Sequence, residues 1–151
     1  AEFYNYLGDA YHSLEDHNAS DASYEKSLAL ISENPIALNN YSYYLSLRSK
    51  DLEKAERYSK QCIELSPDEP TYQDTYGWIL YKLGRFVEAE EWIRKAIEGG
   101  GNNSEILEHY GDILFQIDRK TEALEYWEKA KQAGSSSELL NKKARDGVLY
   151  E

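Results

Sequence analysis

One repetition constrains this chain more than any other feature. Residues 76–96 read YGWILYKLGRFVEAEEWIRKA, and residues 110–130 read YGDILFQIDRKTEALEYWEKA; ten of the 21 positions are identical at an offset of 34. The period extends through the chain. An apolar residue followed by a small one recurs at Leu7-Gly8, Tyr41-Ser42, Tyr76-Gly77 and Tyr110-Gly111, spaced 34, 35 and 34 residues apart. A second small-residue series, Ser20, Ala55, Ala89 and Ala123, keeps the same period, and so does a third, Ser27, Cys62, Ala96 and Ala130. A unit this short cannot bury an apolar face alone, so such units must stack on one another.

Each unit holds two apolar-periodic segments of helical rather than strand spacing. Short polar turns separate them, and breakers separate the units: Asn34-Pro35, Ser66–Pro70, Gly99–Ser104 and Gly134–Ser137. Proline is tolerated in a first helical turn, where its missing N–H has no partner to lose. Ser104 and Ser137 are expected N-caps. The reading is all-α: eight helices in four antiparallel pairs over about 1–34, 35–69, 70–103 and 104–137, then a capping helix over about 138–149. Leu139, Leu140 and Ala144 are expected to seat that cap on the fourth pair. The small residues should mark close helix contacts, with Leu80 and Ile93 filling the space around one of them.

Composition narrows function by exclusion. The net charge is −11, which opposes binding to nucleic acid or anionic membranes. No apolar run reaches the ~20 residues of a membrane helix. The single cysteine, Cys62, forms no internal disulfide and occupies a packing position. Oxidising and reducing compartments, cytoplasmic or extracytoplasmic, both stay open. The chain starts at Ala1 within a helical pattern and reads as part of a longer one. The histidines His12, His17 and His109 form no metal motif. Gly99–Ser104 is glycine-rich but lacks a lysine for a phosphate. Acid pairs such as Glu90-Glu91 read as solvated helix faces. No catalytic, cofactor or metal set is legible, so no enzyme is expected.

The period and the pattern Tyr76-Gly77, Leu80, Ala89, Ile93 and Ala96 resemble the tetratricopeptide repeat family. Residues Tyr110, Gly111, Leu114, Ala123, Trp127 and Ala130 repeat it. Units 1 and 2 depart from it, with Ser20 and Ser27 for alanines, Ser42 for glycine, and one extra residue in the turn around Arg48–Asp51. Gly99-Gly100-Gly101 replaces the proline that usually closes a unit, so a looser joint is expected there. The resemblance implies an α-solenoid of antiparallel helix pairs wound as a right-handed superhelix.

It also implies a non-catalytic module that holds a protein or peptide along the groove lined by the first helix of each pair. Carried over by register, that groove takes Asn5, Asp9 and His12 from repeat 1, and Asn39 and Tyr43 from repeat 2. Repeat 3 supplies Asp74, Trp78, Tyr81 and Lys82; repeat 4 supplies Glu105, Glu108, Asp112 and Phe115. The lining is acidic with aromatic contacts, so the expected partner is a basic or aromatic segment. The chaperone-tail carboxylate clamp of some relatives is not expected. Of its lysine, arginine and asparagine positions only Asn40 fits; Asn5, Asp9, Thr71 and Thr75 supply no cation. Trp78 is read as exposed to the groove, because the same slot in repeat 4 holds Asp112. Two alternatives stay open: a structural or self-association segment of a longer repeat protein, and a regulatory domain of a larger one.

Overall fold

The computed structural model describes residues 1–151. It is all-helical: α1 (Glu2–Ser13), α2 (His17–Leu30), α3 (Pro35–Leu47), α4 (Leu52–Leu65), α5 (Pro70–Lys82), α6 (Phe86–Glu98), α7 (Ser104–Gln116), α8 (Lys120–Gln132) and α9 (Glu138–Asp146). They fall into two compact units, Ala1–Asp68 and Glu69–Glu151. In the first, α1 pairs with α2 and α3 with α4; in the second, α5 pairs with α6, α7 with α8, and α9 packs on α8.

Local chemistry sets the boundaries. Pro35 and Pro70 open α3 and α5, behind the Asn34 and Glu69 side chains, which accept backbone N–H groups of the first turn. The turns inside the first, third and fourth pairs each place one residue in left-handed conformation: Glu15, Gly84 and Asp118. The turn in repeat 2 runs from Arg48 to Asp51, one residue longer, and both Ser49 and Asp51 have positive φ. Ser137 caps α9 as expected, accepting from Leu140 N at 3.2 Å. Ser104 does not cap α7; Asn103 does, accepting from Ile106 N at 3.0 Å. The helix begins one residue earlier than the serine reading allows. Helix α9 ends at Asp146 rather than near 149, because Gly147 adopts φ 64 and its N–H turns back to Lys143 O at 2.8 Å.

The small residues mark the closest helix contacts. An ideal Cβ on Gly8 would lie 2.5 Å from the Tyr24 ring, on Gly77 2.5 Å from Ile93 Cγ1, and on Gly111 2.5 Å from Trp127 Cδ1. In the second helices, Tyr24, Ile93 and Trp127 each sit between two small buried residues. Leu80 is fully buried beside the Gly77 contact, as expected. The core of the first unit is built on Tyr24, Leu38, Leu45 and Ala55, and that of the second on Ile79, Ile93, Ile113 and Trp127. Cys62 is buried and its thiol is pushed up to about 12 by desolvation, so it stays protonated and inert.

Two expectations change on packing. The triple glycine does not make a loose joint: Gly101 is buried, and a Cβ there would meet Ala96 O at 2.9 Å, Ile106 Cδ1 at 3.0 Å and Pro70 Cβ at 3.2 Å. It works as a wedge that no larger residue could be. Leu140 and Ala144 do seat α9, but Leu139 faces outward, and the third buried side chain is Lys143.

Candidate functional site

Helix α9 continues the 34-residue period. Its N-cap Ser137 stands 34 after Asn103, Leu140 stands 34 after Ile106, and Lys143 stands 34 after His109. The helix thus occupies the position of a fifth first helix, cut short at Gly147. This register explains where the inner-face residues go.

In the first unit, Asp9 follows the small residue Gly8. Its carboxylate accepts from the Tyr24 hydroxyl, from Tyr44 Oη at 3.0 Å and from Asn40 Nδ2 at 3.4 Å. It therefore ties α1, α2 and α3 together. Asn5 is buried and accepts from Ser27 Oγ. The His12 ring stacks on Tyr44 at 3.6 Å and 7°. Desolvation, then the neighbouring His17 and Arg48, hold its pKa below the usual histidine value. Asn39 is buried, and Tyr43 is half-exposed.

In the second unit the same slot holds Trp78 and Asp112. Trp78 is 8% exposed and Asp112 5%, so the premise that a slot accepting aspartate stays open does not hold. The Asp112 carboxylate is buried because it is partnered. It accepts from Trp127 Nε1 at 2.9 Å and from Lys143 Nζ at 2.9 and 3.0 Å, and Glu108 accepts from the same ammonium at 2.8 Å. Burial raises the Asp112 pKa, with Lys143 and Trp127 opposing that rise. Trp78 is buried because it stacks between His109 (3.9 Å, 14°) and Tyr81 (4.6 Å, 11°). Its Nε1 has no hydrogen-bond partner. Asn40 on Asp9, His109 on Trp78 and Lys143 on Asp112 form one recurring pair, made by equivalent positions of successive first helices.

What remains open is a recess of about 230 Å³ lined by Trp78, Tyr81, Glu108, Asp112, Lys143 and Glu151, among others. Lys82 lies on its rim, Nζ 5.2 Å from the Trp78 ring centre. The Tyr81 hydroxyl donates to Glu151, so the segment after Gly147 returns to the inner side of α5. Phe115 is half-exposed and stacks on Trp127 at 5.8 Å; Glu105 is exposed, and Asp74 is buried against His109 Nδ1 at 3.0 Å. Burial by itself lowers the His109 pKa, but Asp74, with Glu105 and Asp112 behind it, more than offsets that and the net shift is upward. The structure therefore brings Asp74, Trp78, Tyr81, Glu105, Glu108 and Asp112 to one side of the second unit, several of them already partnered.

Sequence reading missed His109 and Lys143. Lysine is seldom buried, and a lone histidine on a polar-looking face carries no motif. The signal that finds Lys143 is the period itself, carried one unit further than the apolar markers extend; His109 lies inside the marked units, one residue before Tyr110.

The tetratricopeptide repeat family model matches residues 1–34, 37–69 and 72–98. A TPR repeat-containing protein of Pseudomonas aeruginosa is 33% identical over 73 residues, 46% of this chain but only 12% of that relative. Among solved structures, a thermophilic TPR protein of Thermus thermophilus aligns with TM-score 0.79 at 18% identity, covering 95% of this chain and 79% of that one. The structure described as a functional characterisation of Pseudomonas aeruginosa PilF aligns with TM-score 0.75 at 21% identity, covering 95% and 69%. At those identities the structural likeness speaks for the fold.

Proposed function

The chain belongs to the tetratricopeptide repeat family, and from that membership we propose a module that binds a basic, aromatic-bearing peptide on the inner side of its second unit. The family at large supplies protein-interaction scaffolds, typically without catalysis. One observation carries the finer reading: Glu108 and Asp112 hold the ammonium of Lys143 beside the Trp78–Tyr81 stack. The face thus accepts a lysine from this chain's own ninth helix. A peptide lysine or arginine would meet Glu105 and the outer edge of Glu108, while an apolar side chain would enter the recess against Tyr81 and Leu139. Its entry would displace the Tyr150–Glu151 end of the recess.

Exposed ion pairs contribute only about 0–1 kcal/mol each, whereas truncating a well-packed aromatic contact costs ~2 kcal/mol or more. Tyr81→Ala should therefore weaken binding more than Glu105→Gln, and added salt should weaken it modestly. A peptide array followed by titration of the best binder tests this. Selection of acidic peptides, or indifference to both substitutions, removes the reading.

A second reading is favoured by α1. Phe3, Tyr6 and Leu14 are 66%, 65% and 74% exposed along one stripe. The equivalent stripes of α7 and α9 bury Ile106 and Ile113, and Leu140, against the helix pair that precedes them. This favours stacking or self-association through α1. Phe3→Glu with Leu14→Glu should then lower the mass measured by sedimentation; a monomer unaffected by the change removes it.

A further inference from the structure

Two carboxylates and an imidazole converge on the inner side of the second unit. Asp74 stands on α5; Glu105 and His109 stand one turn apart on α7 and so share a face. Their potential ligand atoms all lie within 4.8 Å of one another. His109 Nδ1 is 3.0 and 3.3 Å from the two Asp74 oxygens. The Trp78 ring, stacked on the imidazole at 3.9 Å, fixes the plane in which that nitrogen points. The interaction function above uses Glu105 as a surface charge and has no need of its meeting Asp74 and His109.

We propose that Asp74, Glu105 and His109 form a binding site for a divalent transition-metal ion of the zinc class, which links α5 to α7. Two oxygens and one imidazole nitrogen are a donor set suited to zinc or manganese. Bonds of about 2.0–2.2 Å in tetrahedral array set donors roughly 3.3 Å apart. Asp74 and His109 already meet that spacing. Glu105 is exposed, and a rotamer change on the order of 1 Å brings it in.

Charge supports the site. A divalent ion, two carboxylates and a neutral imidazole sum to zero, which a largely buried position favours. Nδ1 gives its lone pair to the ion, so any proton on that nitrogen leaves to solvent on binding. The groups facing His109 are Asp74 and the Trp78 ring from α5, and Glu105 and Asp112 from α7, with Lys143 of α9 held on Asp112. Protons compete with the ion for all three donors, so affinity should fall as pH drops.

Calorimetric titration of the full chain with zinc chloride tests the proposal, independently of any peptide. The expected result is one saturable site, proton release on binding, and a melting temperature raised by zinc and restored by EDTA. Glu105→Gln leaves the core untouched and should weaken binding by at least about tenfold; Asp74→Asn should do the same. His17→Ala removes one ring of the separate His12–His17 pair, whose centroids are 6.1 Å apart, and should change nothing. Absence of a saturable site, binding unchanged in Glu105→Gln and Asp74→Asn, or binding lost in His17→Ala overturns the proposal.

Discussion

Gly111 has no room for a methyl group: its Cβ would stand 2.5 Å from Trp127 Cδ1 and 2.6 Å from Nε1, and that indole is fixed by its bond to Asp112. Overpacking of this kind costs typically ~1–3 kcal/mol. Gly111→Ala should therefore lower the urea midpoint of unfolding, and an unchanged midpoint would misplace the α7–α8 contact. Lys143 makes a sharper case. Its side chain is 3% exposed and that of Asp112 7%. Breaking a buried pair by removing one partner costs about 3–5 kcal/mol. Lys143→Met should lose stability on that scale, and adding Asp112→Asn should restore much of it, because asparagine still accepts from Trp127. Denaturation of the three variants and the parent closes the cycle. The histidines part in opposite directions. Asp74 raises the His109 pKa, so its contribution is fully present below the unfolded value of 6.5 and is lost as pH rises through the folded pKa. His12 is lowered, so the folded state loses stability as pH falls from 6.5 toward its folded pKa. An NMR titration should find the His109 ring changing charge above 6.5 and the His12 ring below it; the reverse order would contradict the burial and pairing described.

At the scale of the element, α9 decides most. It buries Leu140 and Ala144 and delivers Lys143 to Asp112. Truncation after Gly134 strips these contacts from α8 and leaves Asp112 buried without its ammonium. The shortened chain should melt at lower temperature or aggregate, since the end of a repeat stack needs a polar outer layer. A truncated monomer with the parent's melting point would reduce α9 to a tail. The helices themselves were legible in the sequence. The small-residue series gave the register, the prolines gave two helix starts, and the extra residue near Arg48–Asp51 was visible as a break in the spacing. The end of α9 was not, because a single glycine signals both a stop and mere tolerance. Nor was the cap at Asn103, since asparagine and serine there compete for one role. The inner face was legible as positions but not as environments. Whether Trp78 and Asp112 lie open depends on His109 and Lys143 of the next first helix, and burial set by a partner helix leaves no mark on the residue being buried.

Across the whole molecule, sequence and structure agree on the tetratricopeptide repeat family, whose members hold other proteins, and the proposal of a basic partner draws on the net charge of −11. The chain's own lysine on Glu108 and Asp112 is the observation from which partner chemistry is argued, and the stacked Trp78 offers a direct reporter. Its indole N–H is buried without a hydrogen-bond partner beside the recess, while Trp92 sits on α6 against Tyr76 and Lys95. The decisive measurement is an NMR titration of the isotope-labelled full chain with the best basic peptide from the array. The account predicts that the Trp78 indole and the amides of α5 and α7 shift together and saturate, while the Trp92 indole stays in place. Saturable shifts confined to Trp92 and the amides of α6 and α8, with Trp78 unmoved, would contradict it.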